Sequence, residues 1–145
     1  AAPQGPAQAG LFDGPMKFSL LVLGSPQSSP AVDSALKFAK ACTASGHELF
    51  RVFFFHDGVA AGNALTITPQ DQINLPQAWQ HFGKEHNTDL VLCISSALRR
   101  GVVDAREAQR YELPASNNLD GFALSGLGQW VEAMMVSDRI VTFGA

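Results

Sequence analysis

Short apolar runs alternate along this chain with stretches of helical spacing. Runs at residues 17–23, 47–55, 89–95 and 139–143 predict strands, and their nearly continuous apolar character is typical of strands covered on both faces. Between the first two runs, Ala35, Phe38, Ala39 and Cys42 recur at helical spacing and predict a helix that ends at Gly46. This strand, helix, strand order indicates a parallel pair of strands.

The second half of the chain continues the alternation. Pro76 begins a predicted helix that extends to His86, and a short helical turn at residues 97–100 and a final helix at residues 126–137 follow. Residues 56–76, the charged segment 104–111 and the stretch through residue 118 are interpreted as connections. His56 and Asp57 begin the first connection, where a turn is favoured over a position that faces a site.

These elements predict an α/β fold of three layers, α/β/α, around a mostly parallel sheet. In such sheets, functional sites form beyond the carboxyl ends of the strands. The loops that follow residues 23, 55 and 94 are therefore the expected places for chemistry.

Composition and charge narrow the function classes. The 145 residues, 46% of them apolar, suffice for one domain, which we place at residues 16–145. A formal net charge of −3 gives no basic face for a polyanion, so direct binding of nucleic acid is not expected. No apolar run is long enough to cross a membrane. Residues 1–15, rich in Ala, Gly, Pro and Gln, are interpreted as an artificial or accidental leader and not as a signal peptide.

The cysteine and histidine positions do not form a metal-ligand pattern. Two cysteines without short spacing favour a reducing, cytoplasmic compartment, and neither a metal nor a cofactor is predicted. One alternative concerns the Ser-rich loop at residues 24–29, which could bind a phosphate or a flavin at a helix N-terminus.

The two cysteines have different expected roles. Cys42 lies on the apolar face of the first predicted helix and is assigned to the core. Cys93 lies in an apolar strand, so core packing is the first interpretation for it as well. However, it lies near the carboxyl end of that strand, and small residues at positions 95–97 would leave its sulfur accessible.

A reactive cysteine needs a stabilised thiolate, because an ordinary thiol with a pKa of about 8.5 is only slightly ionised at neutral pH. Arg99 and Arg100 follow Cys93 closely and are candidates either for lowering that pKa or for docking a partner. With one cysteine in the candidate site and no histidine base beside it in sequence, a sulfur carrier is favoured over a peptidase.

Several segments carry a resemblance to a known family. They are residues 46–49, the strand 52–55 with Asp57-Gly58-Val59, Cys93 with residues 97–104, Ser116-Asn117 and residues 124–128. On these segments the chain resembles the DsrE/TusD family of sulfurtransferase subunits, from Met16 to the C-terminus. Cys93 matches the family's persulfide-forming residue, while Ser95 and Ser96 stand where alanines are expected.

The resemblance implies a persulfide carrier in a sulfur relay. It implies assembly with TusB-like and TusC-like subunits into a dimer of heterotrimers, loading by an upstream sulfur carrier, and transfer to a TusE/DsrC-like acceptor. The sulfur would end as the 2-thio group of wobble uridine in tRNA. Two alternatives stay open: a DsrE-like role in dissimilatory sulfur oxidation, and a non-catalytic scaffold subunit in which Cys93 only packs.

Overall fold

A computed structural model describes residues 14–145 of the chain. Of the predicted leader at residues 1–15, residues 1–13 lie outside this range. The strands are β1 (Lys17–Val22), β2 (Glu48–Phe54), β3 (Asp89–Cys93), β4 (Phe122–Ser125) and β5 (Arg139–Phe143). The α-helices are α1 (Ala31–Ala44), α2 (Leu75–His86), α3 (Ile94–Arg99), α4 (Ala105–Arg110) and α5 (Gly128–Val136), and a 3-10 helix spans His56–Gly62. None of the helices within residues 14–145 has the length and apolar character needed to cross a membrane.

The strands form one five-stranded sheet in the order β4-β3-β2-β1-β5, and every neighbouring pair is parallel. The predicted α/β class with a mostly parallel sheet is therefore confirmed. Since all five carboxyl ends meet at one edge, the loops after β1, β2 and β3 converge there.

Strand β2 shows why the sheet is covered on both faces. Successive side chains of a strand point to opposite faces. The Phe54 ring lies 5.5 Å from Trp79 of α2, whereas the Phe53 ring lies 5.9 Å from Trp130 of α5. Both phenylalanines are fully buried. Helices therefore lie on opposite faces of the sheet, as the predicted three layers require.

Four details differ from the sequence interpretation. The connection at residues 56–76 begins with the 3-10 helix, the charged segment 104–111 contains α4, and β4 was not predicted. Strand β3 ends at Cys93, so Ser95 lies in α3 and not in the strand. The missed elements are all short: α4 has six residues and β4 has four, too few to show a clear period.

The 3-10 helix lies against the end of β1 with no room for a side chain at Gly58. A Cβ atom there would collide with the carbonyl oxygen of Val22, which accepts a hydrogen bond from the Phe55 N–H at 2.9 Å. Gly58 thus fixes the close approach of this helix to the carboxyl edge of the sheet.

We expect Gly58→Ala to destabilise the protein by about 1–3 kcal/mol, because the added methyl group must displace backbone and not a flexible side chain. Urea unfolding monitored by circular dichroism measures the change. Gly126→Ala is the matched control, since a Cβ at that position meets nothing within 4 Å. Equal stability of the two variants would contradict this account of the close approach.

Candidate functional site

Cys93 is the last residue of β3 and immediately precedes α3. This position places it at the carboxyl edge of the sheet, next to the first turn of a helix. Its Sγ lies 3.4 Å from the Ser95 Oγ. The site therefore combines a thiol with hydroxyl and N–H groups from the helical turn that follows it.

The surroundings of Cys93 favour its thiolate. Burial raises the pKa of the Cys93 thiol, but hydrogen bonds from the hydroxyls and backbone N–H groups of Ser95 and Ser96 outweigh burial and bring the pKa below its ordinary value. Burial acts alone on Cys42 and raises its pKa. The two cysteines thus differ in chemistry, and Cys42 is confirmed as a buried core residue of α1.

Cys93 is less accessible than its small neighbours suggested. Only 1% of its surface is exposed, and it belongs to the hydrophobic core cluster. An open cavity of about 400 Å³ lies beside it, lined by Phe55, His56, Ser95, Ser96, Arg99 and Arg100. Cys93 does not line this cavity, but Ser95, whose hydroxyl contacts the Cys93 sulfur, does.

A set of polar contacts connects the 3-10 helix to α3 beneath the same cavity. The His56 N–H donates to the Ser96 Oγ at 3.1 Å. Arg100 donates through Nε to the Asp57 Oδ1 at 2.8 Å and through Nη1 to the Ser96 carbonyl oxygen at 3.2 Å. His56 and Asp57, interpreted from sequence as a turn, therefore lie at the site.

The two candidate arginines differ in their contacts. Arg100 forms the ion pair with Asp57, so the charge it presents to the sulfur is largely offset. Arg99 is exposed, and among residues 14–145 the structure gives it no carboxylate partner. The groups that lower the pKa of the Cys93 thiol are those of Ser95 and Ser96 and include neither guanidinium. This arrangement favours a docking or structural role for both arginines over stabilisation of the thiolate.

The other candidate features provide little chemistry. Within residues 14–145 no three His, Cys, Asp or Glu side chains are grouped so that they could hold a metal ion. In the loop at residues 24–29, the Ser25 hydroxyl contacts Gln27 and Ser28, so these polar groups bond largely to one another. The phosphate or flavin alternative gains no support from this loop.

The sequence comparisons agree on one family. Residues 16–143 match the DsrE/DsrF-like family. The sulfurtransferase TusD homologue of Pseudomonas aeruginosa is 46% identical over 129 residues, covering 89% of this chain and 98% of the relative. The sulfurtransferase TusD of Photorhabdus laumondii is 44% identical over 128 residues, covering 88% of this chain and 98% of the relative. The protein named for DsrE in Allochromatium vinosum is 46% identical over 129 residues, covering 89% of this chain and 99% of the relative.

A solved structure has the same fold. The YchN protein of E. coli superimposes with a TM-score of 0.70 at 22% identity, covering 88% of this chain and 99% of that chain. At this level of identity the likeness concerns the fold alone.

The protein is an α/β protein with a parallel sheet, and at the carboxyl edge of that sheet lies a cysteine whose sulfur contacts a serine hydroxyl. The chain belongs to the DsrE/DsrF-like family. The TusD relatives confirm the predicted class of activity, that of a sulfurtransferase. The roles of Cys93, Arg99 and Arg100 remain predictions.

We expect iodoacetamide to modify Cys93 faster than Cys42 at neutral pH. The lowered pKa of Cys93 gives it the larger thiolate fraction, and its alkylation rate should fall as the pH drops through a midpoint below that of an ordinary cysteine thiol. Peptide mass spectrometry of timed samples measures both rates. Preferential modification of Cys42, or a Cys93 midpoint above that of a free cysteine, would refute the assignment of Cys93 as the reactive thiol.

Proposed function

We propose that this chain carries sulfur as a persulfide on Cys93 within a sulfur relay that ends in the 2-thiolation of wobble uridine in tRNA. The observation that carries the proposal is the Cys93 sulfur, placed at the carboxyl edge of the sheet with the Ser95 hydroxyl 3.4 Å away. The TusD sulfurtransferases at 44% and 46% identity support the same activity.

The chemistry is a pair of sulfur exchanges. In loading, the Cys93 thiolate attacks the outer sulfur of a donor persulfide; a bond from Sγ to that sulfur forms as the donor's S–S bond breaks, and the electron pair leaves with the donor thiolate. In release, an acceptor thiolate attacks the outer sulfur of the Cys93 persulfide, and Cys93 departs as a thiolate. Neither step consumes an oxidant or a reductant.

The cavity lined by Ser95 and Ser96 is suited to these partners. Thiolates and persulfides are anionic near neutral pH, and Arg99 on the cavity wall is exposed. We assign Arg99 to docking of the upstream carrier or of a TusE/DsrC-like acceptor, and Arg100 to the structure of the cavity through Asp57. Two buried free thiols are consistent with a cytoplasmic setting, where reduction would maintain them.

Substitution of Cys93 provides the direct test. After incubation with a low-molecular-mass persulfide donor, we expect one added sulfur on the Cys93 peptide of the wild-type chain and none on Cys93→Ser, measured by intact-mass and peptide mass spectrometry. Cys42→Ser is the matched control and should load normally, because Cys42 is a core residue of α1. Sulfur on Cys42 in place of Cys93 would refute the proposal.

An experiment in cells distinguishes the tRNA-thiolation role from the sulfur-oxidation role. If Cys93→Ser replaces the native residue, loss of 2-thiolated wobble uridine, measured by nucleoside analysis of bulk tRNA, supports the tRNA relay. Normal thiolation with impaired sulfur oxidation would favour the second candidate, which the 46% identity to the Allochromatium vinosum protein supports. Normal flux in both processes with Cys93→Ala would indicate a scaffold subunit.

The outer face of α5 supports assembly with homologous subunits. Its inner face packs on the sheet through Trp130, and buried Arg51 donates to the Gln129 carbonyl oxygen at 2.7 Å and to the Glu132 carboxylate at 3.0 Å. Apolar side chains are nevertheless exposed on and beside this helix: Leu127, Val131, Met134, Met135, Val136 and Ile140. Apolar residues on both sides of a helix are typical of one that is covered on both sides.

The neighbouring edge of the sheet adds to this surface. Among residues 14–145, strand β5 pairs only with β1, so no other strand of this part of the chain covers its outer edge, next to exposed Ile140. We propose that TusB-like and TusC-like subunits cover this surface in a dimer of heterotrimers.

We expect Val131→Glu to reduce co-purification with co-expressed TusB-like and TusC-like subunits, because it buries a charge in the proposed interface. The isolated chain should keep its stability to within about 0.5 kcal/mol, since the side chain is exposed. Ile67→Glu, at an exposed loop position away from α5, is the control and should assemble normally. Wild-type stoichiometry for Val131→Glu would exclude this face of α5 as the interface.

A further inference from the structure

The cavity beside Cys93 has the size of a small-molecule site. Its volume of about 400 Å³ lies within the range of ligand pockets, roughly 300–1,000 Å³. Its wall includes Ser95, whose hydroxyl lies 3.4 Å from the Cys93 Sγ. Only 1% of Cys93 is exposed, so a narrow molecule has easier access to the sulfur than the surface of a folded protein has. A small reactant therefore suits this position better than a flat protein face.

The wall of the cavity presents one uncompensated positive charge. Two arginines line it, and no carboxylate side chain of residues 14–145 does. Asp57 offsets the charge of Arg100 through the 2.8 Å contact between its Oδ1 and the arginine Nε. Arg99 is exposed and has no carboxylate of the same residues within ion-pair distance. Since a guanidinium binds a carboxylate through two parallel hydrogen bonds, this wall favours a ligand that carries a carboxylate.

The remaining groups of the wall suit a molecule that resembles an amino acid. The exposed Ser95 hydroxyl can donate to a carboxylate oxygen or accept from an N–H group. The half-buried Phe55 ring offers an apolar surface to methylene groups. The cavity thus combines a cation, a hydroxyl and an aromatic ring within a space of ligand size.

We propose that this cavity binds a low-molecular-mass persulfide that carries a carboxylate close to its sulfur, and that Arg99 binds the carboxylate. The persulfide of an amino acid or of a short peptide has this chemistry. The inference rests on the proposed function of Cys93 and adds a route of loading that needs no protein donor.

The transfer itself is a single exchange of sulfur. The Cys93 thiolate attacks the outer sulfur of the bound persulfide, and a bond from Sγ to that sulfur forms as the donor's S–S bond breaks. The electron pair leaves with the donor thiolate, which keeps its carboxylate on Arg99 until it dissociates. The step consumes no oxidant and no reductant.

Two alkylating reagents separate the binding of a carboxylate from the reactivity of the thiol. Iodoacetate and iodoacetamide both react with the Cys93 thiolate by displacement of iodide, but only iodoacetate carries a negative charge. The ratio of the two rates on the Cys93 peptide, measured by mass spectrometry of timed samples, cancels the fraction of thiolate. The ratio therefore reports the attraction of the cavity for a carboxylate and not the pKa of the thiol.

In the full chain, we expect Arg99→Gln to lower the ratio of the iodoacetate rate to the iodoacetamide rate about two- to fivefold, the effect of one partly exposed ion pair. Arg99→Lys keeps the charge and should retain most of the ratio. Arg106→Gln is the matched control, because it removes an equal charge from an exposed arginine that does not line the cavity. It should leave the ratio unchanged.

Asp57 provides a change of opposite sign. Asp57→Asn removes the negative charge that offsets Arg100 but keeps an oxygen acceptor for its Nε, so the ratio should rise about twofold. A higher salt concentration should lower the wild-type ratio towards that of Arg99→Gln, because salt screens exposed charges. The substituted residues 57, 99 and 106 are all exposed, so the variants should fold.

Persulfide donors with and without a carboxylate test the proposed ligand itself. Cysteine persulfide should load Cys93 faster than an alkyl persulfide that lacks a carboxylate. Arg99→Gln should remove most of this difference, and Arg106→Gln should preserve it. Intact-mass spectrometry of timed samples measures the added sulfur.

Three results would overturn the proposal: an unchanged reagent ratio in Arg99→Gln, an equal fall in Arg106→Gln, or equal loading by the two donors. The reagent ratio does not depend on sulfur transfer. The expected ratios without any persulfide on Cys93 would refute the proposed function and leave the carboxylate site in place. Persulfide on Cys93 with an unchanged ratio in Arg99→Gln would support the proposed function and refute the carboxylate site.

Discussion

The parallel register of β2 and β3 determines where the chemistry of this protein is placed. Phe54 pairs with Leu92, so the residues that follow, Phe55 and Cys93, emerge side by side at the carboxyl edge. The 3-10 helix and α3 begin immediately beyond them, which brings His56 to the Ser96 hydroxyl although 40 positions separate them in sequence. A shift of one residue in this pairing would turn Cys93 to the other face of the sheet and separate these groups. The geometry of the site therefore depends on the pairing of β2 with β3, two strands that also form part of the hydrophobic core.

Two opposing demands meet at Cys93. As part of the core cluster, the cysteine contributes apolar contacts, and burial disfavours its charge. In the proposed role of sulfur carrier, it must become an anion in the same place. The polar groups of the first turn of α3 reconcile these demands because they belong to a helix terminus whose N–H groups have no partners within the helix. Core packing and reactivity are thus compatible here, and neither interpretation of the cysteine excludes the other.

The sequence predicted buried strands well, but it could not predict contacts between residues that lie far apart in the chain. Apolar runs predicted β1, β2 and β3, because strands covered on both faces show no polar alternation. The shorter run at residues 139–143 predicted β5, although that strand is mostly exposed. Strand β4 was missed since it has four residues at the sheet edge, with Ala123 exposed. Cys93 could be proposed from its place at a strand end and from the family resemblance. The pairing of Asp57 with Arg100 could not, because a charge at a loop start shows no partner 43 positions away. For the position of Asp57, the available sequence signal was the Asp57-Gly58 pair that follows a buried strand. A Cβ at Gly58 would collide with the carbonyl oxygen of Val22, which explains why this segment lies so close to the carboxyl edge of the sheet.

In the proposed sulfur relay, the serines at positions 95 and 96 would affect the release of sulfur more than its loading. A lower thiol pKa increases the fraction of thiolate at neutral pH but weakens each thiolate as a nucleophile, so loading gains less than the ionised fraction suggests. Release responds differently: when an acceptor attacks the outer sulfur, Cys93 is the leaving group, and a thiolate of lower pKa leaves faster. Alanines at these positions, expected from the family resemblance, would lack the hydroxyl donors. In the proposed relay, hydrogen bonds from these serines would therefore favour release of the sulfur over its loading.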